Sequence, residues 1–366
     1  MTSKKKKKQK ICKDEKIAIV GSGPGALSAA LAFQKDGFEN IVLYERDEHF
    51  HSRKDGYGLT LTYNPSKTSP LAQLGLLEKL ARLDCPSRAH YVFDSEGNII
   101  GYFGNRFSKS SRGYGQRGNL RVPRQILRQV MMNTLKERDV HNKIQIEWNK
   151  KLKGFTTSTD APVQTTLEFE DGTSATADLL VGADGVHSTV MKNILDENEN
   201  CTSYLGIMIV LGITQDFYHP LLDERGFYTL DGNHRLFTMP YEGSRMTDLI
   251  ENNIPLNDQS TSIKRTRRYM WQLSYNLPYE EAVKISNEGS QSLFNEVLRR
   301  TENWHDPVQA MIQSTPLNTV WGTPLMDRSP SEILVKMNEV YKASKQKSMR
   351  AIALGDAIHA MSPFKG

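Results

Sequence analysis

Short runs of apolar residues recur along the chain, and each run closes on glycine or an acidic residue. Residues 17–20 (IAIV) lead into a glycine-rich turn, and residues 40–45 (NIVLYE) end on Glu45. The pattern returns at 178–182 (DLLVG) and at 351–354 (AIAL). Strands that are covered on both faces read as continuous apolar runs. The pattern therefore predicts buried strands of a Rossmann-like α/β sheet.

Other segments have the hairpin pattern of an antiparallel sheet. Residues 88–103 carry a Glu-Gly-Asn turn between apolar segments, and residues 226–241 carry an Asp-Gly turn. Such turns between alternating runs are typical of β-hairpins. Residues 205–213 and 269–275 add apolar strands, and helices are expected near 279–301. We therefore predict an antiparallel domain inserted into the Rossmann-like one.

The net charge of +5 on 366 residues belongs to one end of the chain. Eight lysines among the first 16 residues, offset only by Asp14 and Glu15, account for all of it. A run of like charges repels itself and buries nothing, so we expect a disordered basic tail over 1–15. The nearly neutral remainder gives no indication of nucleic-acid binding.

The apolar runs and the cysteines indicate the cellular compartment of the protein. The longest apolar run, 205–213, is shorter than the ~18 residues of a membrane-spanning helix, and no signal peptide precedes it. Cys12, Cys85 and Cys201 are scattered and lack the spacing of metal ligands. We therefore predict no metal site and a reducing, cytoplasmic location, with a nuclear location as the alternative that the lysine-rich tail raises.

Residues 21–26 (GSGPGA) fit the fingerprint of a dinucleotide-binding turn. They follow a predicted strand and precede a predicted helix, which is the context that the fingerprint requires. Gly21 permits the tight turn, Gly23 admits a pyrophosphate to the backbone, and Ala26 lets helix and strand pack closely. Glu45 is placed to accept hydrogen bonds from the adenosine ribose. The motif predicts a dinucleotide and leaves NAD and FAD both open.

Two further acidic residues follow predicted strands. Asp184 stands in Gly-Ala-Asp-Gly, and Asp356 directly follows Gly355. Open α/β sheets bind ligands at the carboxyl ends of their strands, and a carboxylate there suits the hydroxyls of a polyol such as ribitol. For Asp184, a plain turn without a ligand stays open as an alternative.

The order GSGPGA, ADG, LGDAIHAMSPF resembles the class A FAD-dependent monooxygenases, the family of para-hydroxybenzoate hydroxylase and salicylate hydroxylase. The resemblance extends from about Lys16 to Gly366 and implies an FAD-binding domain with an inserted substrate domain. His359 lies in the third motif and is expected to be a structural hydrogen-bonding residue. The resemblance implies cofactor contacts by Gly21, Ser22, Gly23, Pro24, Gly25, Ala26, Glu45, Arg46, Arg53, Arg124, Asp184, Gly355, Asp356 and Pro363.

The resemblance also sets the predicted domain boundaries. After the tail, the FAD-binding domain comprises residues 16–85, 107–200 and 346–366. The substrate domain comprises residues 86–106 and 201–345. Trp271, Tyr228, Phe237 and Met239 are candidates to line its pocket, with an ordinary core role as the alternative, because aromatic residues on strands commonly pack in cores.

The chain departs from the family pattern after MSPFKG. There the family continues with Gln-Gly-x-Asn and a long helix whose N-terminus faces the flavin. We therefore expect this C-terminal helix to be missing and the sequence to be a fragment of a longer chain. Apolar surface on the sheet would then be exposed.

The function implied by the resemblance is that of an oxidoreductase. FAD would be the cofactor, NAD(P)H a transient co-substrate, and dioxygen the source of an atom that hydroxylates or epoxidises a small aromatic or olefinic molecule. A single glycine fingerprint and the lack of a redox cysteine pair disfavour a pyridine-nucleotide-disulfide reductase. The alternatives are an FAD oxidoreductase of the same fold without oxygen insertion, and an inactive flavin-binding chain. The pattern identifies no catalytic residue, substrate or oligomeric state.

Overall fold

The computed structural model describes residues 12–52, 56–85, 87, 89–104, 119–158, 163–195, 202–242, 267–343 and 350–362. The chain forms two compact units. The first comprises Met1–Ser52, Met132–Cys201 and Arg328–Ala360, and the second comprises Arg53–Met131, Thr202–Asp327 and Met361–Gly366. These units are defined by compactness alone, so the boundaries of the FAD-binding and substrate domains stay a prediction.

The elements are labelled in chain order. The strands are β1 (Ile17–Val20), β2 (Ile41–Tyr44), β3 (Gly58–Thr62), β4 (Ala89–Asp94), β5 (Ile99–Gly104), β6 (Asn119–Pro123), β7 (Gln145–Glu147), β8 (Leu152–Thr157), β9 (Thr165–Phe169), β10 (Ser174–Ala177), β11 (Leu179–Gly182), β12 (Thr202–Ile213), β13 (Gly226–Leu230), β14 (His234–Tyr241), β15 (Arg268–Asn276), β16 (Trp321–Arg328) and β17 (Ala351–Ala353). The helices are α1 (Pro24–Lys35), α2 (Pro70–Gln73), α3 (Leu77–Ala81), α4 (Arg124–Arg138), α5 (Thr189–Leu195), α6 (Tyr279–Glu288), α7 (Ser290–Arg300), α8 (Val308–Gln313), α9 (Pro330–Ala343) and α10 (Asp356–His359). Short 3₁₀ turns lie at Phe50–Ser52, Pro220–Leu222 and Leu317–Thr319.

The first unit is built on a parallel sheet with the strand order β17-β11-β1-β2-β7. Every residue of β1, β2 and β11 is buried, which confirms the prediction made from their apolar runs. Helix α1 begins at Pro24, inside the glycine-rich turn of residues 21–26 that was predicted to precede it. Proline is favoured there because the first helical N–H has no partner within the helix. Gly37 follows the helix with a φ of +88°, as expected of a stop signal.

The fourth predicted strand is less buried than its sequence indicated. In β17, Ala351 is buried but Ile352 is 45% exposed. The cause is position, since β17 lies at the edge of the sheet and, among the strands of the described ranges, pairs with β11 alone. The prediction of a strand buried on both faces is therefore wrong for β17.

The second unit contains a larger sheet with the order β16-β12-β15-β14-β13-β4-β5. Both predicted hairpins are present, because β4 pairs antiparallel with β5 and β13 pairs antiparallel with β14. Strand β13 also pairs parallel with β4, which joins the two hairpins. A separate antiparallel ribbon is formed by β3 and β6.

The two faces of this larger sheet differ. One face packs against α6, α7 and α8 and includes Phe227, Leu236 and Trp271 in its core. The indole N–H of Trp271 donates to Thr315 Oγ1 at 2.8 Å. The opposite face carries a second cluster that includes Met239 and Met270.

Among the helices of the described ranges, none is both long and apolar enough to cross a membrane.

Candidate functional site

Four neighbouring parallel strands of the first unit end at one edge of the sheet. Val20 lies beside Tyr44 on one side and beside Gly182 on the other, and Gly182 lies beside Ala353. These four residues are the last of their strands. The segments that follow β1, β2, β11 and β17, which hold the predicted site motifs, therefore leave the sheet side by side.

The glycine turn after β1 fits tightly against the segment after β11. Gly21 has a φ of +106° and donates its N–H to Tyr44 O at 2.8 Å. A Cβ at Gly21 would lie 2.6 Å from the carbonyl oxygen of Ala183. Both the left-handed backbone and the close approach thus require glycine. The first and second motifs are in direct contact here.

The N-terminus of α1 has the character of an anion site. Gly23 is the N-cap and provides no capping side chain, and the first turn of the helix holds no acidic residue. N–H groups and the helix dipole at such an end favour a phosphate. A Cβ at Gly25 would lie 3.2 Å from Leu354 Cδ1, so the first motif also meets the third. Backbone and charge here fit the pyrophosphate of a dinucleotide.

Glu45 braces the glycine turn from the end of β2. Its side chain is buried, with 8% of the residue exposed. Oε2 accepts from the N–H and the hydroxyl of Ser22, both at 2.7 Å, and Oε1 accepts from the N–H of Asp47 at 3.1 Å. A carboxylate has about four acceptor sites, so these bonds are compatible with ribose hydroxyls as additional donors. Arg46 follows and is exposed.

Asp184 caps a helix. Oδ1 accepts from the hydroxyl of Ser188 at 2.6 Å, while Oδ2 accepts from the N–H groups of Thr189 and Val190 at 2.7 and 3.2 Å. These donors belong to the start of α5, whose first N–H groups need acceptors. The observed hydrogen bonds fit the alternative that the sequence left open for Asp184, which is a turn without a ligand. A cofactor contact by Asp184 stays a prediction.

Asp356 is exposed at the carboxyl end of β17. Gly355 precedes it with a φ of +60°, and a Cβ placed there would find no atom within 4 Å. Gly355 thus has a left-handed backbone in open space, and the Asp356 that follows it is accessible to a ligand. This arrangement suits a ligand with hydroxyl groups.

One residue of this site gave no signal in the sequence. Arg328, at the end of β16, is buried and donates to Val186 O and to the carbonyl oxygens of Asp356 and Ala357. It thereby joins the second motif to the third. An arginine in the polar stretch MDRSP resembles any surface arginine, because its partners are distant in sequence.

Three predicted cofactor contacts lie outside the described part of the first unit. Arg53 and Pro363 lie outside the described residues. Arg124 is the first residue of α4 in the second unit, where its N–H donates to Tyr57 O at 3.0 Å and its guanidinium lies 6.0 Å from the Tyr57 ring. Their roles as cofactor contacts stay predictions.

In the second unit, the face of the larger sheet opposite α6, α7 and α8 carries an aromatic cluster that we call the aromatic face. The rings of Tyr228 and Phe237 lie 4.9 Å apart, and His90 stacks on Phe237 with an angle of 18° between the rings. The guanidinium carbon of Arg235 lies 4.8 Å from the Tyr228 ring. Met239 lies on the same face, in the cluster against which Phe237 packs. Trp271 lies in the core on the other face of the sheet.

The burial of His90 predicts a sensitivity to acid. Burial, aided by Arg121, lowers the pKa of His90 to about 4. The unfolded chain, with a histidine pKa of ~6.5, binds this proton first, so stability is lost as the pH falls from ~6.5 toward ~4. Between pH 7 and 4.5, we expect the unfolding free energy of the wild type to fall by ~2 kcal/mol more than that of His90→Gln.

Urea unfolding followed by circular dichroism at both pH values measures this difference. His141→Gln, at an exposed position, is the matched control and should lose as much stability as the wild type. Equal losses in His90→Gln and the wild type would show that His90 is not the group responsible.

Known proteins resemble the chain over nearly its whole length. The model of the family described as "FAD binding domain" matches residues 14–366. Monooxygenase cfoF of Aspergillus candidus is 26% identical, over 96% of this chain and 78% of its own length. The 6-methylsalicylate 1-monooxygenase atA of Aspergillus terreus is 24% identical, over 96% of this chain and 70% of its own length. The structure of HpxO from Klebsiella pneumoniae, solved with FAD and uric acid, shares the fold at a TM-score of 0.66 and 21% identity, covering 95% of this chain and 74% of HpxO.

Proposed function

The chain belongs to the FAD binding domain family and to its class A FAD-dependent monooxygenases, and we propose on this premise that it oxygenates a small organic molecule. The reaction would use NAD(P)H and dioxygen to hydroxylate or epoxidise an aromatic or olefinic substrate. The observation that carries the proposal is the set of four adjacent strand ends that bear the glycine turn, Glu45 and Asp356 at one edge.

FAD, when bound, supplies the electron transfer and oxygen chemistry, while the protein binds it, orients it and excludes water. The N–H groups at the start of α1 would receive the pyrophosphate, because that helix end has no capping or acidic side chain. Glu45 would accept the adenosine ribose hydroxyls, and Asp356 those of the ribitol chain. The buried position of Glu45 and the open position of Asp356 support these assignments.

The aromatic face supports a planar, electron-rich substrate. Tyr228 and Phe237 are partly exposed and offer ring surfaces, and Arg235 adds positive charge beside them. Stacking and cation–π contact favour aromatic over aliphatic molecules. One relative is named for 6-methylsalicylate, an aromatic acid, and this is why hydroxylation of an aromatic molecule is the first reaction to test.

The reaction is tested with the purified chain, FAD, each of NADH and NADPH, ¹⁸O₂ and a panel of hydroxylated aromatic acids and olefins. We expect a product that carries one ¹⁸O atom, with one NAD(P)H consumed for each product after the NAD(P)H spent on forming hydrogen peroxide has been subtracted. Substrate turnover without label would instead favour the oxidoreductase without oxygen insertion. A colourless protein whose melting temperature FAD does not raise would favour the inactive chain.

Asp356→Ala is expected to weaken FAD binding by ~1 to 3 kcal/mol through the loss of hydrogen bonds to a charged acceptor. Its exposure predicts little change in the stability of the apo protein. Titration with FAD, followed by quenching of flavin fluorescence, measures the dissociation constant. Asp36→Ala, an exposed aspartate at the other end of α1, is the control. Equal affinity of Asp356→Ala and the wild type would contradict the ribitol assignment.

We also propose that the protein acts in the cytoplasm, where NAD(P)H is available. Its scattered cysteines support a reducing compartment, and Cys85 is a buried free thiol. The lysine-rich stretch that raised a nuclear location lies outside the described residues. A fluorescent fusion confined to the nucleus would contradict the proposal.

A further inference from the structure

Arg328 lies with its guanidinium between two loops of the first unit. The residue is 1% exposed. Its NH2 group donates to Val186 O at 3.2 Å, and its NH1 group donates to Asp356 O at 3.3 Å and to Ala357 O. Its backbone N–H donates to Ala360 O at 3.0 Å. One side chain thus contacts the loop after β11, called the Asp184 loop, and the segment after β17 where α10 begins, called the Asp356 loop.

The burial of this charge indicates a specific role. A buried guanidinium loses its hydration, and that cost is offset only when its donors find acceptors. The planar fork of arginine directs its donors along fixed directions, so the carbonyl groups it binds are held at a fixed spacing. Arg328 therefore bridges the two loops with donors of fixed direction.

Both loops hold an acidic residue of the candidate site. Asp184 lies two residues before Val186, and its carboxylate caps α5. Asp356 offers its backbone carbonyl to Arg328 and presents its exposed carboxylate separately. A shift of either carbonyl group would move the adjoining aspartate relative to the glycine turn.

We propose that Arg328 is a positioning residue that holds the Asp184 and Asp356 loops at the spacing that FAD binding requires. This inference rests on the proposed FAD site. Arg328 acts through the two backbone segments, and the geometry of its fork matters more than its charge. A lysine has one compact charge and cannot span both loops in the same way.

The test uses Arg328→Lys and Arg328→Met in the full chain. We expect each to raise the FAD dissociation constant by roughly 10- to 100-fold, measured by flavin fluorescence, because the hydrogen bonds that hold two contact loops are lost. If Arg328→Lys, which keeps the positive charge, loses as much FAD affinity as Arg328→Met, the geometry of the guanidinium matters and its charge alone does not suffice. If Arg328→Met does not fold, Arg328→Lys, checked by circular dichroism, carries the comparison.

A second readout needs no FAD. Hydrogen–deuterium exchange of the apo protein should be faster in both variants at residues 183–190 and 354–360. Arg300→Met is the matched control, since Arg300 bonds Glu296 and His234 in the second unit. It should leave exchange at those two segments, and the FAD affinity, as in the wild type.

The outcomes separate the two proposals. Faster exchange at both segments together with weaker FAD binding supports the positioning role. Tight FAD binding by Arg328→Lys overturns it, as does faster exchange with unchanged affinity, and the proposed FAD site then stands. A wild type that binds no FAD refutes the proposed function and this inference together.

Discussion

Replacement of Gly21 by alanine is expected to destabilise the first unit by about 3 kcal/mol or more and to abolish FAD binding. Two costs add at this position. The φ of +106° is unfavourable for any residue with a Cβ, and that Cβ would lie 2.6 Å from Ala183 O. Backbone atoms cannot move aside as the end of a flexible side chain can. Thermal unfolding and FAD titration measure the two effects.

Gly172→Ala separates strain from collision. Gly172 has a φ of +81°, and a Cβ there would meet no atom within 4 Å. This variant should lose only about 1 kcal/mol and keep its FAD affinity. If Gly21→Ala were as stable as Gly172→Ala, the contact between the first and second motifs would not matter as described.

Glu45→Ala is expected to cost about 2 to 4 kcal/mol of unfolding free energy and to remove most FAD binding. The substitution leaves the N–H and hydroxyl of the fully buried Ser22, and the N–H of Asp47, without this acceptor. Unpaired buried donors carry the full penalty of their lost hydration. The glycine turn, which includes Ser22, would lose the hydrogen bonds that connect it to the end of β2.

Urea unfolding and flavin titration measure the effect of Glu45→Ala beside two other variants. Glu45→Gln keeps one carbonyl oxygen as an acceptor and should fall between the wild type and alanine. Glu39→Ala removes an exposed partner of Lys143 and should leave both quantities near the wild type. Wild-type stability and affinity in Glu45→Ala would contradict the account of the turn.

The sheet of the first unit was predictable from the sequence where local pattern decides the structure. Continuous apolar runs identified β1, β2 and β11, because a strand covered on both faces excludes polar residues. Turn residues identified the two hairpins of the second unit for the same local reason. These features depend on residues close in sequence.

Features set by distant contacts were not predictable in this way. The exposure of Ile352 depends on the place of β17 at the sheet edge, which its own residues do not encode. Trp271 packs on the helix-covered face because of the strand pairing of β15, whereas Tyr228 lies on the other face. The bonds of Arg328 join segments 142 and 28 residues away.

The candidate site divides along the same line. The glycine turn and Glu45 were identified because the fingerprint has a local spacing. The bond between Glu45 and Ser22, and the helix-capping role of Asp184, required the folded arrangement. The sequence thus predicts which residues carry the chemistry, while the structure shows which hydrogen bonds hold these residues in place.

We propose that the ends of four adjacent strands form one FAD site. Hydrogen–deuterium exchange of the wild-type chain, with and without saturating FAD, tests it most directly. FAD is expected to protect residues 21–27, 45–47, 183–190 and 354–358 together. Bound FAD that protects other segments and leaves these four unchanged would contradict it.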